Sequence, residues 1–175
     1  MNDHLVLLSG LASSLPLIGR RYTAWARQLD ASLTLPSSVK RWVLSSDGAG
    51  EKPALSAILA DHRKGLLGTV VFIGHSNGAR DTLFMAETLY SIGIEVKYAA
   101  TLDMTLGEFG AKAFGSIKEL DEFHARLETV DFDPSFKKNA STYHKFEIDK
   151  GHVAMASDPF VQSRLRRKIE EAFKA

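Results

Sequence analysis

Cysteine is missing from this 175-residue chain. Its absence removes disulfides, thiolate metal sites and a cysteine nucleophile, and it is compatible with a reducing compartment. A surplus of either charge is missing too: 22 basic and 21 acidic side chains leave a formal net charge of +1. That balance supplies no overall field to draw in nucleic acid or an anionic membrane, so neither partner is expected. No apolar run reaches transmembrane length, and the run at residues 5–8 is too short, and too poor in basic flank, for a signal peptide. With Met1 as the start, the expected location is cytoplasmic. Repeats, low-complexity tracts and linkers are also lacking, so residues 1–175 are expected to form one domain.

Several signatures of chemistry are absent as well. The loop Ser9-Gly10-Leu11-Ala12-Ser13-Ser14 lacks the glycines of a dinucleotide fingerprint, and there is no phosphate-loop lysine motif. No H-E-x-x-H or comparable ligand spacing occurs, so neither a cofactor nor a metal is expected. The basic run Arg164, Arg166, Arg167 and Lys168 is followed by Glu170 and Glu171. It reads as a solvated helix face, with phosphate contact as the alternative.

What is present alternates between two periods. Runs at residues 5–8, 41–44, 70–73 and 95–102 read as strands, the first and third of them uncharged. Between them, residues 17–33, a segment opened by Pro53 and closed by Gly65, and the segment from Ala79 carry helical spacing. Further on, Ile117, Leu120, Phe123, His124 and Leu127 recur as on a helix, and Ser116 with Glu119 fits a capping box, so residues 116–130 are predicted helical. Residues 142–148 read as a last strand. Asp158-Pro159 caps a terminal helix whose inward side carries Phe160, Val161, Leu165, Ile169 and Phe173. Strands alternating with helices imply an α/β three-layer sandwich around a mostly parallel sheet of about five to six strands.

One stretch organises the rest. Val70-Val71-Phe72-Ile73 leads into Gly74-His75-Ser76-Asn77-Gly78 and then a helix, which is G-x-S-x-G in its strand–turn–helix setting. A serine hydroxyl stands clear of a sheet edge only when the chain turns within about two residues, which strains the backbone at the serine. Glycines on either side let strand and helix close without a Cβ between them.

A serine needs a base, and a base is usually oriented by a carboxylate. In a parallel sheet those partners must follow strand ends on the same edge. Among the histidines, His152 alone follows a strand end. His62 and His124 fall in helix patterns, His144 falls within a strand, and His4 precedes the first strand. His75, before the serine, is expected to point away from the site. Asp103 closes the strand after the elbow helix and is the favoured acid, while Asp131, Asp133 and Asp149 stay open as rivals. The amides of Asn77 and Leu11, with Ala12 beside the latter, are the expected oxyanion donors. Met104, Leu106 and Phe109 lie in an apolar, glycine-rich stretch read as a pocket wall, with plain packing over the core as the alternative.

These residues together resemble the α/β-hydrolases of the lipase, esterase and thioesterase kind. The resemblance rests on Gly74-His75-Ser76-Asn77-Gly78, on Thr101-Leu102-Asp103 and on Gly151-His152-Val153, and it spans nearly the whole chain. It implies a minimal fold without a cap domain. It also implies Ser76 as nucleophile, His152 as general base and then acid, and Asp103 as its orienting partner, acting on a small-molecule ester or thioester. Amide hydrolysis, acyl transfer and a non-catalytic binding module are the alternatives. Ser9-Gly10 stands where many relatives carry His-Gly.

Overall fold

In the computed structural model, residues 1–10, 23–46, 50–104, 117–126 and 140–174 are described. The uncharged runs become the middle of the sheet. Leu5 and Leu7 of strand β1 (Asn2–Ser9) face one side, and Val6 and Leu8 face the other; all four are fully buried. Strand β3 (Leu67–His75) repeats the pattern, with Val71 and Ile73 on the first side and Val70 and Phe72 on the second. A strand covered on both faces has no polar side to show, which explains the lack of alternation in the sequence.

Six strands pair in the order β2-β1-β3-β4-β5-β6, all parallel. The others are β2 (Val39–Ser45), β4 (Val96–Leu102), β5 (Ile117–Ala125) and β6 (Ala140–Ile148). Helices α1 (Ala24–Ser32) and α5 (Pro159–Ala172) pack Trp25, Leu29, Val161, Leu165 and Ile169 on the first side. Helices α2 (Lys52–Arg63) and α3 (Asn77–Tyr90) pack Ile58, Leu83, Ala86 and Leu89 on the second. A one-turn helix α4 (His152–Met155) precedes α5. The expected three-layer α/β architecture is therefore observed, with six strands, and the described residues include no cap domain.

The expected helix at 116–130 is corrected: residues 117–125 are strand β5, hydrogen-bonded between β4 and β6. Its acidic residues imitate the polar stripe of a helix, yet Asp121 and Glu122 are buried and all three acids are paired across the molecule. Asp121 is fully buried and accepts from Tyr98 Oη at 2.8 Å, and from Arg164 Nε and Nη2 of α5 at 2.7 and 2.9 Å. Glu119 holds Lys168 Nζ at 2.7 Å, and Glu122 accepts from the Tyr143 hydroxyl. The basic run on α5 is thus consumed, because Arg166 and Arg167 also pair with Glu170 and Glu171.

Smaller differences have local causes. Asp158 does cap α5, its Oδ1 accepting from Phe160 N–H at 2.9 Å. Phe160 itself is half exposed and lies edge-on to Phe146 instead of facing inward. His4 belongs to β1 and is fully buried.

Candidate active site

The elbow is built as its glycine spacing requires. Ser76, between β3 and α3, has φ 57° and ψ −126°, and it is 7% exposed. A Cβ on Gly74 would stand 2.3 Å from the Gly78 carbonyl oxygen, and one on Gly78 would stand 2.3 Å from that of Leu8. Both are far inside any contact a side chain can make, so strand, helix and the neighbouring β1 approach this closely because those positions carry none. Gly10, just past β1, presses on the serine itself: a Cβ there would lie 2.9 Å from Ser76 Oγ.

Asp103 follows β4, the strand beside β3, and its backbone is also left-handed, with φ 41°. Among the described residues, Ser76 and Asp103 are the non-glycine positions with positive φ. Strain of that kind persists where the surroundings over-determine it, and it gathers at functional sites. Here the surroundings are explicit: Ser76 N–H bonds the Leu102 carbonyl at 2.9 Å and Asp103 N–H bonds that of Phe123 at 2.7 Å. Each residue stays tied to the next strand while its side chain turns across the edge.

His152 meets Asp103 there. Its Nδ1–H donates to Asp103 Oδ2 at 2.6 Å, a short charge-assisted bond, while Ala125 N–H donates to Oδ1 at 3.0 Å. His124 at the end of β5 brings its Nδ1 to 3.4 Å from the same Oδ1. Burial pushes the Asp103 carboxyl up, but the bonds from His152 and Ala125 and the nearby His124 outweigh it and hold the group below the usual carboxylate range. The acid is therefore ionised at neutral pH, and as an acceptor it calls for the His152 proton on Nδ1.

His75 does not point away. It is 1% exposed, its Nε2–H donates to the His152 carbonyl at 3.0 Å, and the two rings lie 4.7 Å apart between centroids. His152 is thereby placed beside the residue that immediately precedes Ser76. Nothing in the local sequence signals this contact, since it depends on where the loop after β6 crosses the sheet.

Asn77 opens α3, so its amide belongs to the first turn, at the positive end of the helix dipole, which favours negative charge. Met104 is 7% exposed and packs in the cluster beneath α2 and α3. Leu11, Leu106, Phe109, Asp131 and Asp133 lie outside the described residues. Asp149 follows β6, and the carboxylate on His152 Nδ1 is that of Asp103. Away from this edge, Glu119, Asp121 and His144 place ligand atoms within 4.8 Å of one another. Arg164 and Lys168 pair with those carboxylates at 2.7 Å each.

The fold is that of the α/β-hydrolases. The RedJ thioesterase from the prodiginine biosynthetic pathway in Streptomyces coelicolor matches with TM-score 0.58 at 12% identity, over 95% of this chain and 85% of that one. Human thioesterase 2 matches with TM-score 0.58 at 10% identity, over 99% and 96%. XC6422 from Xanthomonas campestris, an α/β serine hydrolase without a lid, matches with TM-score 0.57 at 14% identity, over 99% and 83%. No protein-family model matches the sequence, and no curated protein matches it.

Proposed function

We propose that this protein is a serine hydrolase of carboxylic esters or thioesters. The observation that carries the reading is the 2.6 Å Asp103–His152 pair at the same sheet edge as a serine held in a strained elbow. In the proposed reaction His152 takes the Ser76 hydroxyl proton as Oγ attacks the acyl carbon, and the charge on Nδ1–H is met by Asp103. The oxyanion is held by the amides of Asn77 and Leu11. His152 returns the proton to the departing alcohol or thiol, and an acyl-enzyme on Ser76 remains. Water then attacks that ester, His152 taking its proton and giving it back to Ser76 Oγ as the carboxylic acid leaves. Met104 and the apolar residues Leu106 and Phe109 after it are the proposed acyl contact.

Support for the thioester branch comes from the neighbours, since RedJ and human thioesterase 2 are thioesterases. The test is covalent labelling by a fluorophosphonate, followed by turnover of short p-nitrophenyl esters against acyl-CoA. Labelling is expected at Ser76 alone. Ser76→Ala is expected to fold normally and to lose turnover by on the order of 10⁴-fold or more. Folded protein that resists the label and turns over neither ester is a binding module, and an active Ser76→Ala variant sinks the assignment.

A further inference from the structure

His75 is a buried histidine at the site to which the proposed chemistry gives no task. It is the last residue of β3, and among the described residues its ring has one polar partner, the carbonyl of His152. We infer that His75 is a positioning residue for His152, anchoring the base from behind through its main chain. The inference rests on the serine hydrolase reading of the site.

The topology shows why an anchor is needed. His152 comes from the loop after β6, an outer strand, whereas Ser76 stands at the end of β3. Three strand spacings, about 14 Å, separate the two strands. The loop must carry the imidazole over the ends of β5 and β4 to reach the serine. Asp103, from β4, holds the far-reaching ring by Nδ1, and the bond from His75 holds the main chain behind that ring. Helix α4, in which His152 sits, is a single turn of four residues, too short to be stable on its own. His75 bonds the His152 carbonyl at 3.0 Å and so ties the proposed base to the strand that carries the proposed nucleophile. Its own ring is fixed by Trp25 of α1, edge-on at 6.1 Å.

The bond needs one proton, on Nε2, because a carbonyl only accepts. Burial draws the His75 imidazole down to about 4, so the ring is neutral at working pH with one proton to place. The groups facing it are His152 and Asp103, whose opposing influences leave burial dominant.

His75→Phe removes the donor and keeps a ring, while His75→Gln returns an amide N–H near the place of Nε2. In the Phe variant kcat is expected to fall on the order of 10- to 100-fold with KM within about twofold, as for a base displaced by a fraction of an ångström. The low-field proton resonance of the His152 Nδ1–H···Asp103 bond should broaden or vanish. Gln should recover most of both at equal urea stability, which loss of packing alone does not predict. In the unmodified protein, ¹⁵N shifts should assign His75 as the neutral Nε2–H tautomer. Wild-type kcat and an unchanged resonance in His75→Phe would overturn the inference. So would an Nδ1–H tautomer, a measurement that stands even if a variant fails to fold. Resonance and tautomer are read without turnover, so failure of the hydrolase reading, seen as an active Ser76→Ala variant, stays separate from failure of this one.

Discussion

The sheet carries a histidine–carboxylate pair at each end, and the two have opposite surroundings. At the carboxyl end, the edge that also carries the strained Ser76, His152 donates to Asp103 at 2.6 Å, and a fifth of its side chain is exposed. At the amino end His4 Nε2 donates to Asp61 Oδ2 at 2.8 Å, yet His4 is fully buried. There the Trp42 indole N–H donates to His4 Nδ1 at 3.3 Å, and Lys40 and Asn2 fill Asp61 at 2.7 and 3.0 Å. Hydrogen bonds from Lys40 and His4 hold the Asp61 carboxyl well below the usual range, and burial draws His4 down. Every donor and acceptor of that pair is spent on structure. Pairing a histidine with an aspartate therefore does not make a base. In the proposed reaction His152 differs in being partly exposed at the strand edge that carries Ser76.

Exchanging the carboxylate breaks the comparison most sharply. Asp103→Asn keeps the shape but offers His152 an amide, and the wrong tautomer should cost about 10⁴-fold in kcat, measured on a p-nitrophenyl ester. The next effect is on stability in acid. Unfolded His75 takes up a proton near pH 6.5, whereas the folded ring resists until about 4. Between those values the unfolded chain binds more protons, so stability is complete above pH 6.5 and falls as pH drops toward 4. The loss amounts to about 3 kcal/mol from this residue. Urea unfolding at pH 7, 5.5 and 4 should show a flatter decline in His75→Gln. His4 adds a loss of the same sign, because its folded imidazole also resists protonation.

The residues that place the site were legible because they are local in sequence. An all-apolar run, a glycine-bracketed serine and acid and base groups just after strands need no knowledge of distant contacts. The five uncharged or alternating strands were legible for the same reason. Strand β5 was not, since Ile117, Leu120 and Phe123 at threefold spacing among Glu119, Asp121 and Glu122 satisfy a helical pattern. What makes those acids tolerable in a buried strand is Arg164 and Lys168, some 40 residues later, and Tyr143 on the next strand. His75 and the His4–Asp61 pair were hidden likewise. Each gains its meaning from a contact 57 or 77 residues away in sequence.

A smaller blow to the carboxyl end is Gly10→Ala. The added methyl would lie 2.6 Å from Ser76 Cβ and 2.9 Å from Oγ, so either the serine or the strand end must shift. Displacement of the nucleophile is expected to slow fluorophosphonate labelling on the order of 10²-fold, with far-ultraviolet circular dichroism unchanged.

Asp61→Asn should have the least effect on turnover and so completes the contrast. His4 pairs in register with Val70, six residues before Ser76, which places the pair roughly 20 Å from the elbow. At that distance, with no shared partner, substitutions act independently. The asparagine still accepts from His4 or Lys40, but it no longer carries the charge that Lys40 and the buried histidine are arranged around. A lowered Tm is expected together with a kcat/KM within about twofold of the unmodified protein, both measured well below the new Tm. A large loss of kcat/KM at undiminished Tm would mean that the amino end of the sheet takes part in the chemistry after all, and the division between a structural and a reactive pair would fall.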